Sequence, residues 1–239
     1  MTPRGLIVAG GIGLLLALAA RSFVPDLLKA APKGCARFTA SSGPLVAHAG
    51  GGTPDAVYRN DRVALDLADR HGFKVIELDF MEKGGRLALG HGNAQASPLT
   101  LEELLDWLDR HPGISIVTDI KSDNLNGLKL LKAAAGRRID RFIPQIYSTA
   151  EFAPVVALGY PAPILTIYRL QPGKDEWIPA ANALPLRAVT MPVKQRALAG
   201  RIEHPVYLHT VNQPMPGYGL YTDCLIPADP GSTDTPEAR

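Results

Sequence analysis

Eight apolar runs of strand length recur through this 239-residue chain, and they limit its possible folds more than any other feature. They are "PLVAH" (44–48), "KVIELDF" (74–80), "ISIVTDI" (114–120), "FIPQIY" (142–147), "APILTIY" (162–168), "RAVTMP" (187–192), "PVYLHTV" (205–211) and "YGLYTDCL" (218–225). Strands that are apolar almost throughout are buried on both faces, which is the condition of a parallel sheet covered by helices. The early intervening segments have helical character. "DAVYRNDRVALDLADRHG" (55–72) carries Val57, Val63, Leu65 and Leu67 and stops at a glycine. "SPLTLEELLDWLDRHPG" (97–113) opens on a capping box from Thr100 to Glu103, and "NLNGLKLLKAAAG" (124–136) again stops at glycine. Later helices are shorter and interrupted by proline. The alternation predicts an α/β protein, a small (β/α)8 TIM-type barrel over residues 41–227, with an open doubly wound sheet as the alternative. The glycines of "HAGGGTP" follow a strand, but their spacing matches neither a dinucleotide fingerprint nor a P-loop.

The ends differ in kind. Residues 5–20, "GLIVAGGIGLLLALAA", are uncharged and apolar, with Arg4 before and Arg21 after. The run is short for a membrane span, which needs about 20 residues. It suits the core of a secretory signal, with Ala17-Leu18-Ala19 as a small-residue cleavage site. Residues 1–25 are therefore expected to be a signal peptide or a membrane anchor, with a buried core helix as the plainer alternative. Arg21, Lys29, Lys33 and Arg37 follow the segment, so charge does not set its topology. A linker over 26–40 and a polar, disordered tail over 228–239 complete the expected layout. The protein is expected to be exported or membrane-anchored, on the periplasmic side. The net charge of +2 provides no basic field for nucleic acid. Cys35 and Cys224 read equally as one disulfide or as two free thiols.

In a parallel barrel the active site lies at the C-terminal ends of the strands. His48 ends the first run, Glu77 and Asp79 sit in the second, and Asp119 ends the third with Lys121 two residues on. Residues two apart on a strand share a face, so Glu77 and Asp79 point the same way. Buried carboxylates repel one another unless a cation stands between them. Three carboxylates suit a hard divalent cation, Mg²⁺ or Ca²⁺. The structural alternative is an ion-pair network in which Glu77 or Asp79 simply meets Lys121 or Lys74. His91 follows a short glycine-bearing hairpin that returns the chain toward the same cleft. Two histidines, a metal and a lysine fit the cleavage of a phosphodiester, a small-molecule substrate with charge to neutralise and a poor alkoxide leaving group. His71 and His111 lie at helix ends, where a cation complements the dipole. His204 precedes a proline. His209 lies within the seventh run, as a packed core residue or a lining of the barrel mouth.

The motifs "AHAGG" (47–51), "ELDF" (77–80), "GHG" (90–92), "TDIKSDN" (118–124) and "YTDCL" (221–225) resemble, in order, those of the glycerophosphodiester phosphodiesterase family. "FIPQIY" and "HTVN" are similar to a bacterial branch that opens with His-Ala-Gly-Gly. The resemblance spans about residues 44–226. It implies a (β/α)8 barrel, His48 and His91 as an acid–base pair, Glu77, Asp79 and Asp119 as metal ligands, and Lys121 on the phosphate. It also marks departures. The family's Arg after the first His is Ala49, the Asp after the second is Gly92, and the third acid is Asp119 rather than Glu. The inserted lobe that many members carry after His91 is missing. A barrel that binds a phosphorylated ligand or a metal without turnover is the competing expectation.

Overall fold

The computed structural model describes residues 35, 43–53, 56–92, 95–170 and 175–225. The apolar segment 5–20, the linker apart from Cys35, and the tail 228–239 lie outside the described residues. Among the described residues nine strands form one sheet: β1 Leu45–Ala47, β2 Val75–Lys83, β3 Arg86–Leu89, β4 Ser115–Ile120, β5 Phe142–Ile146, β6 Ile164–Thr166, β7 Ala188–Pro192, β8 Val206–His209 and β9 Gly219–Thr222. Neighbours follow the order β1-β9-β8-β7-β6-β5-β4-β2-β3, and β1 also pairs with β2. That last pairing, Ala47 against Ile76, closes eight parallel strands into a barrel and excludes the open sheet. Each of the eight expected runs matches one barrel strand, and β2 alone continues past its run, to Lys83.

The ninth strand has a separate purpose. β2 overshoots the barrel rim, and β3 folds back on it antiparallel, Phe80 facing Leu89 and Lys83 facing Arg86. Gly84 and Gly85 join them, both at positive φ (60° and 74°), the geometry a two-residue hairpin turn requires. Leaving β3, the chain is drawn back to the barrel by a bond from the Gly90 amide to the Asp79 carbonyl, 3.0 Å. His91 is thereby delivered beside the end of β2.

Five α-helices cover the outside among the described residues: α1 Arg62–Arg70, α2 Leu101–Arg110, α3 Asn124–Ala135, α4 Phe152–Ala157 and α5 Trp177–Asn182. The capping box of α2 forms as expected, and Asp61 and Asp123 cap α1 and α3 through their side chains. Beyond β5 the helices shrink to six residues, as the prolines foretold, and Val193–Arg201 is 3₁₀. Among the described residues, no helix is long and apolar enough to cross a membrane.

Period-two alternation divides the strands' side chains between two cores. Those facing outward, such as Ile76, Leu78, Phe80, Ile116 and Val189, pack with helix residues including Leu65, Leu104, Trp107, Leu108 and Leu131. Those facing inward form a smaller cluster, Val46, Val117, Ile143, Ile164, Ala188 and Tyr221. Gly219 makes this interior possible: a Cβ there would lie 2.3 Å from the Tyr207 ring. One step further toward the C-terminal rim, the same inward positions turn polar: Glu77 and Asp79, Asp119, Gln145, Thr166, Thr190 and His209. The barrel is an apolar plug with a polar mouth. Cys35 and Cys224 form a disulfide, Cα–Cα 5.5 Å, which fastens residue 35 beside that mouth.

Candidate active site

The register of β2 and β4 brings the acids together. Asp79 and Asp119 are direct partners on adjacent parallel strands, and Glu77 is one inward step below Asp79. One oxygen from each of Glu77, Asp79 and Asp119 lies within 4.8 Å of the others, and all three residues are buried. Lys121 follows β4 and bridges two of them, its Nζ 2.8 Å from Asp79 Oδ1 and 2.7 Å from Asp119 Oδ2. The ion-pair network weighed from the sequence therefore exists, but with Lys121 alone. Lys74 precedes β2 at the opposite end of the barrel.

Lys121 does not satisfy the cluster. Three carboxylates face one ammonium, and Glu77 Oε1 is buried without a hydrogen-bond partner. Burial, reinforced by Asp79, pushes the Glu77 carboxyl up to about 8. An unpartnered carboxylate oxygen inside an all-oxygen donor set is what a hard divalent cation would complete. The residues present thus fit a hard divalent cation. The ammonium of Lys121 is disfavoured by burial, but Asp79, Asp119 and Glu77 overcome this and raise its pKa.

His48 opens a short 3₁₀ turn, His48–Gly50, after β1. Ala49 there has φ 50°, and its amide donates to Glu77 Oε2 at 2.7 Å. The backbone of the "HAGG" turn therefore holds one ligand of the acid cluster. His48 Nδ1 lies 2.8 Å from Asp223 Oδ1, just past β9. Burial opposes protonation of His48, but the Asp223 hydrogen bond and the fields of Glu77, Asp223 and Asp79 prevail, raising it to about 9. His91 is exposed, and its partial burial holds its pKa below the usual imidazole value. No acid follows His91, and an aromatic ring meets it instead. Tyr58 makes edge contacts with both histidines, centroids 4.8 Å from His48 and 5.3 Å from His91.

Four further residues shape the site without having been assigned a role from sequence. Asn60, fully buried at φ 50°, clamps Asp79 twice: its Nδ2 donates to Oδ2 at 2.9 Å, and its Oδ1 accepts from the Asp79 amide at 2.8 Å. Tyr58 stands between the histidines. Tyr147, which ends the "FIPQIY" run, donates its hydroxyl to Asp119 Oδ1. Burial, then Asp119, keep that phenol well above its ordinary pKa, so it remains a donor. Asp223 lay inside the quoted "YTDCL" motif. A polar residue at a strand's C-terminal end was the available signal for Tyr147 and Asp223. Asn60 and Tyr58 arrive from the loop before α1, where spacing carries no such signal.

The remaining histidines divide as follows. His71 and His111 close α1 and α2. His204 Nε2 meets the Ala181 carbonyl at 3.0 Å. His209 lies at the rim, 5.9 Å from the Tyr168 ring, with a buried, unpartnered Nε2. Burial lowers its pKa to about 4, so it is a neutral lining of the mouth.

Two expected outcomes arise from this geometry. Asn60→Gly keeps the left-handed backbone accessible and removes both bonds to Asp79. It should weaken Mg²⁺ or Ca²⁺ binding by about 10–100-fold, the usual cost of losing a residue that orients a ligand. Calorimetric titration with the metal checks this, and unchanged affinity would contradict it.

The second concerns pH. Folded Glu77 titrates at about 8 against an ordinary 4.5, and His48 at about 9 against 6.5. Between each pair of values the folded protein holds a proton that the unfolded chain has released, so rising pH favours unfolding. The His48 contribution is complete below 6.5 and lost through about 9. The Glu77 contribution declines from 4.5 to about 8. Asp119, whose pKa is lowered, acts in the opposite direction at acid pH, and so do His209, lowered to about 4, and the lowered His71 and His91, all below 6.5. Metal-free protein should therefore melt at progressively lower temperature from about pH 6.5 to about pH 9. Added Mg²⁺ or Ca²⁺ should raise the Tm more at the alkaline end, because the metal binds ionised carboxylates. Scanning calorimetry with and without chelator reads both effects; a metal-free Tm that climbs with pH would contradict them.

No protein-family model matches the sequence, and no curated protein matches it at a significant level. Solved structures do resemble the fold. A protein from Silicibacter pomeroyi, provisionally named a glycerophosphoryl diester phosphodiesterase, aligns with TM-score 0.57 at 14% identity, over 78% of this chain and 92% of that one. A phosphodiesterase from Oleispira antarctica, solved with its product sn-glycerol-3-phosphate, gives 0.53 at 14% identity, over 76% and 93%. A protein from Galdieria sulphuraria, provisionally named a glycerophosphodiester phosphodiesterase, gives 0.51 at 16% identity, over 69% and 83%. At these identities the likeness shows a shared barrel fold.

Proposed function

We propose that the chain belongs to the glycerophosphodiester phosphodiesterase family and hydrolyses a phosphodiester, a glycerophosphodiester or related lipid head-group diester, with a divalent metal and a His48/His91 pair. The observation that carries this is the meeting of Glu77, Asp79 and Asp119 at the barrel mouth, with an unpartnered Glu77 oxygen and with both histidines gathered around Tyr58. The fold shared with a phosphodiesterase solved with sn-glycerol-3-phosphate supports the substrate class.

Glu77, Asp79 and Asp119 would hold Mg²⁺ or Ca²⁺. When bound, the metal would supply a Lewis acid to neutralise charge on the phosphoryl oxygens. The chain's own residues do the rest. Asn60, the Ala49 amide and Tyr147 fix the three carboxylates from outside. Asp223 holds His48 through Nδ1, which leaves Nε2 as the atom that can meet substrate. Burial favours the neutral imidazole at His91, able to accept a proton, while the Asp223 bond and the acid cluster favour the cation at His48, able to donate one. One of each is what cleavage needs: a base for the attacking water or hydroxyl and an acid for the leaving alkoxide. Lys121, with two of its three donors on carboxylates, keeps one for the phosphoryl group.

The Cys35–Cys224 disulfide supports export, since disulfides persist in oxidising compartments. The apolar segment 5–20 supports export or membrane anchoring in the same way. A spectrophotometric assay with a chromogenic phosphodiester and each metal tests the activity. Metal binding without turnover across a panel of diesters would favour the competing reading, a barrel that only binds.

A further inference from the structure

Four arginines of the described surface each meet a carboxylate: Arg59 with Asp61, Arg62 with Asp66, Arg138 with Asp109 and Arg201 with Asp175. Arg169 does not. It follows β6 at the C-terminal rim, and among the described residues no carboxylate forms an ion pair with it. What distinguishes it is its place: its guanidinium carbon sits over the Tyr147 ring, 3.5 Å from the centroid. Its Nε donates to Tyr168 Oη at 3.2 Å, and one terminal nitrogen reaches the Ile120 carbonyl at 3.4 Å. Tyr147 in turn bonds Asp119, so Arg169 stands one aromatic ring away from the acid cluster. Stacking holds the planar fork in place while leaving most of its donors unused, and such a fork matches the oxygens of a phosphate. Lys121, the other cation at the mouth, already spends two donors on Asp79 and Asp119.

We propose that Arg169 is a phosphate-binding residue of this site. It supplies from β6 the guanidinium that Ala49 withholds after β1. Tyr147 is then shared, its hydroxyl orienting Asp119 and its face orienting Arg169. The proposal rests on the phosphodiesterase reading for the identity of the ligand, but phosphate binding can be measured without turnover.

Inorganic phosphate is the probe, titrated calorimetrically into full-length wild type, Arg169→Gln and Arg169→Met in the presence of Mg²⁺. Arg169 is exposed, and its bond to the Ile120 carbonyl is long, at 3.4 Å, so neither change removes a strong bond from a buried group. Both variants should bind phosphate about tenfold to a hundredfold more weakly, the worth of hydrogen bonds to a charged group. Mg²⁺ affinity should be unchanged in both, which a brace for Asp119 alone would not give. With a chromogenic diester the loss should fall mainly on KM. Wild-type phosphate affinity in either variant, or no phosphate binding by wild type, overturns the proposal. Arg169-dependent phosphate binding in a protein that hydrolyses no diester keeps this proposal and removes the catalytic one. Hydrolysis with affinity and KM unchanged in the variants does the reverse.

Discussion

Glu77→Gln should abolish metal-dependent hydrolysis and at the same time make the metal-free protein more stable at alkaline pH. The two effects share a cause. Glu77 is 2% exposed, one oxygen is tied to the Ala49 amide, and the other has no partner. Its ionisation in that setting is costly, which is why its pKa lies near 8. A neutral amide of the same size can still accept from Ala49 but carries no charge to bury. The metal-free Tm near pH 8 should therefore rise, at about 2–4 °C for each kcal/mol gained in a domain of this size. The same change removes one of three anionic ligands. With several kcal/mol of transition-state stabilisation resting on the cation, turnover should fall by about 10³-fold or more. Calorimetric melts and a hydrolysis assay on one preparation read both. A variant that stays active, or that melts lower than wild type without metal, contradicts this placement of Glu77.

The second large effect belongs to the histidines. His48→Ala or His91→Ala should each lower turnover by about 10²–10⁴-fold, the usual worth of a general acid or base. Divalent affinity should persist in both, since neither ring contributes an oxygen to the acid cluster. The double variant should be hardly worse than the poorer single one, because a proton-transfer pair acts as a unit. Hydrolysis at the wild-type rate by both single variants would remove the acid–base assignment. His48→Ala also leaves Asp223 without its ring partner, so its effect includes a local rearrangement that His91→Ala avoids. Tyr58, which touches both rings, is the element through which one loss could disturb the other.

Much of this architecture was legible because parallel barrel strands are buried on both faces and so appear as apolar runs. Every barrel strand falls inside such a run except β2, which continues three residues further to Lys83, and the six candidate residues all lie at the C-terminal rim. Glu77 and Asp79 stood out because two charges two residues apart break an otherwise apolar strand. The convergence of Asp79 with Asp119 needed the register between β2 and β4, which apolar pattern alone does not set. Asn60 was beyond reach for a different reason. It acts from a loop at positive φ, nineteen residues from the carboxylate it clamps. Arg169 is similar: its meaning comes from the ring it lies on and from the carboxylate it lacks, neither of which is written in its neighbours. The choice between disulfide and free thiols for Cys35 and Cys224 also depended on distance in space, and the structure pairs them. Departures from the family pattern at Ala49 and Gly92 acquire physical partners here. The Ala49 amide serves Glu77, and Tyr58 meets His91 where an acid was expected.

On the function proposed above, this barrel mouth uses a divalent cation to hydrolyse a phosphodiester. Release of sn-glycerol 3-phosphate from a glycerophosphodiester, followed while Mg²⁺ or Ca²⁺ is titrated into chelator-stripped protein, tests it most directly. The predicted result is no product without metal, a rate that saturates as metal is added, and loss of the rate when chelator is restored. Product formed equally in chelator, or none at any concentration of either metal, would contradict it.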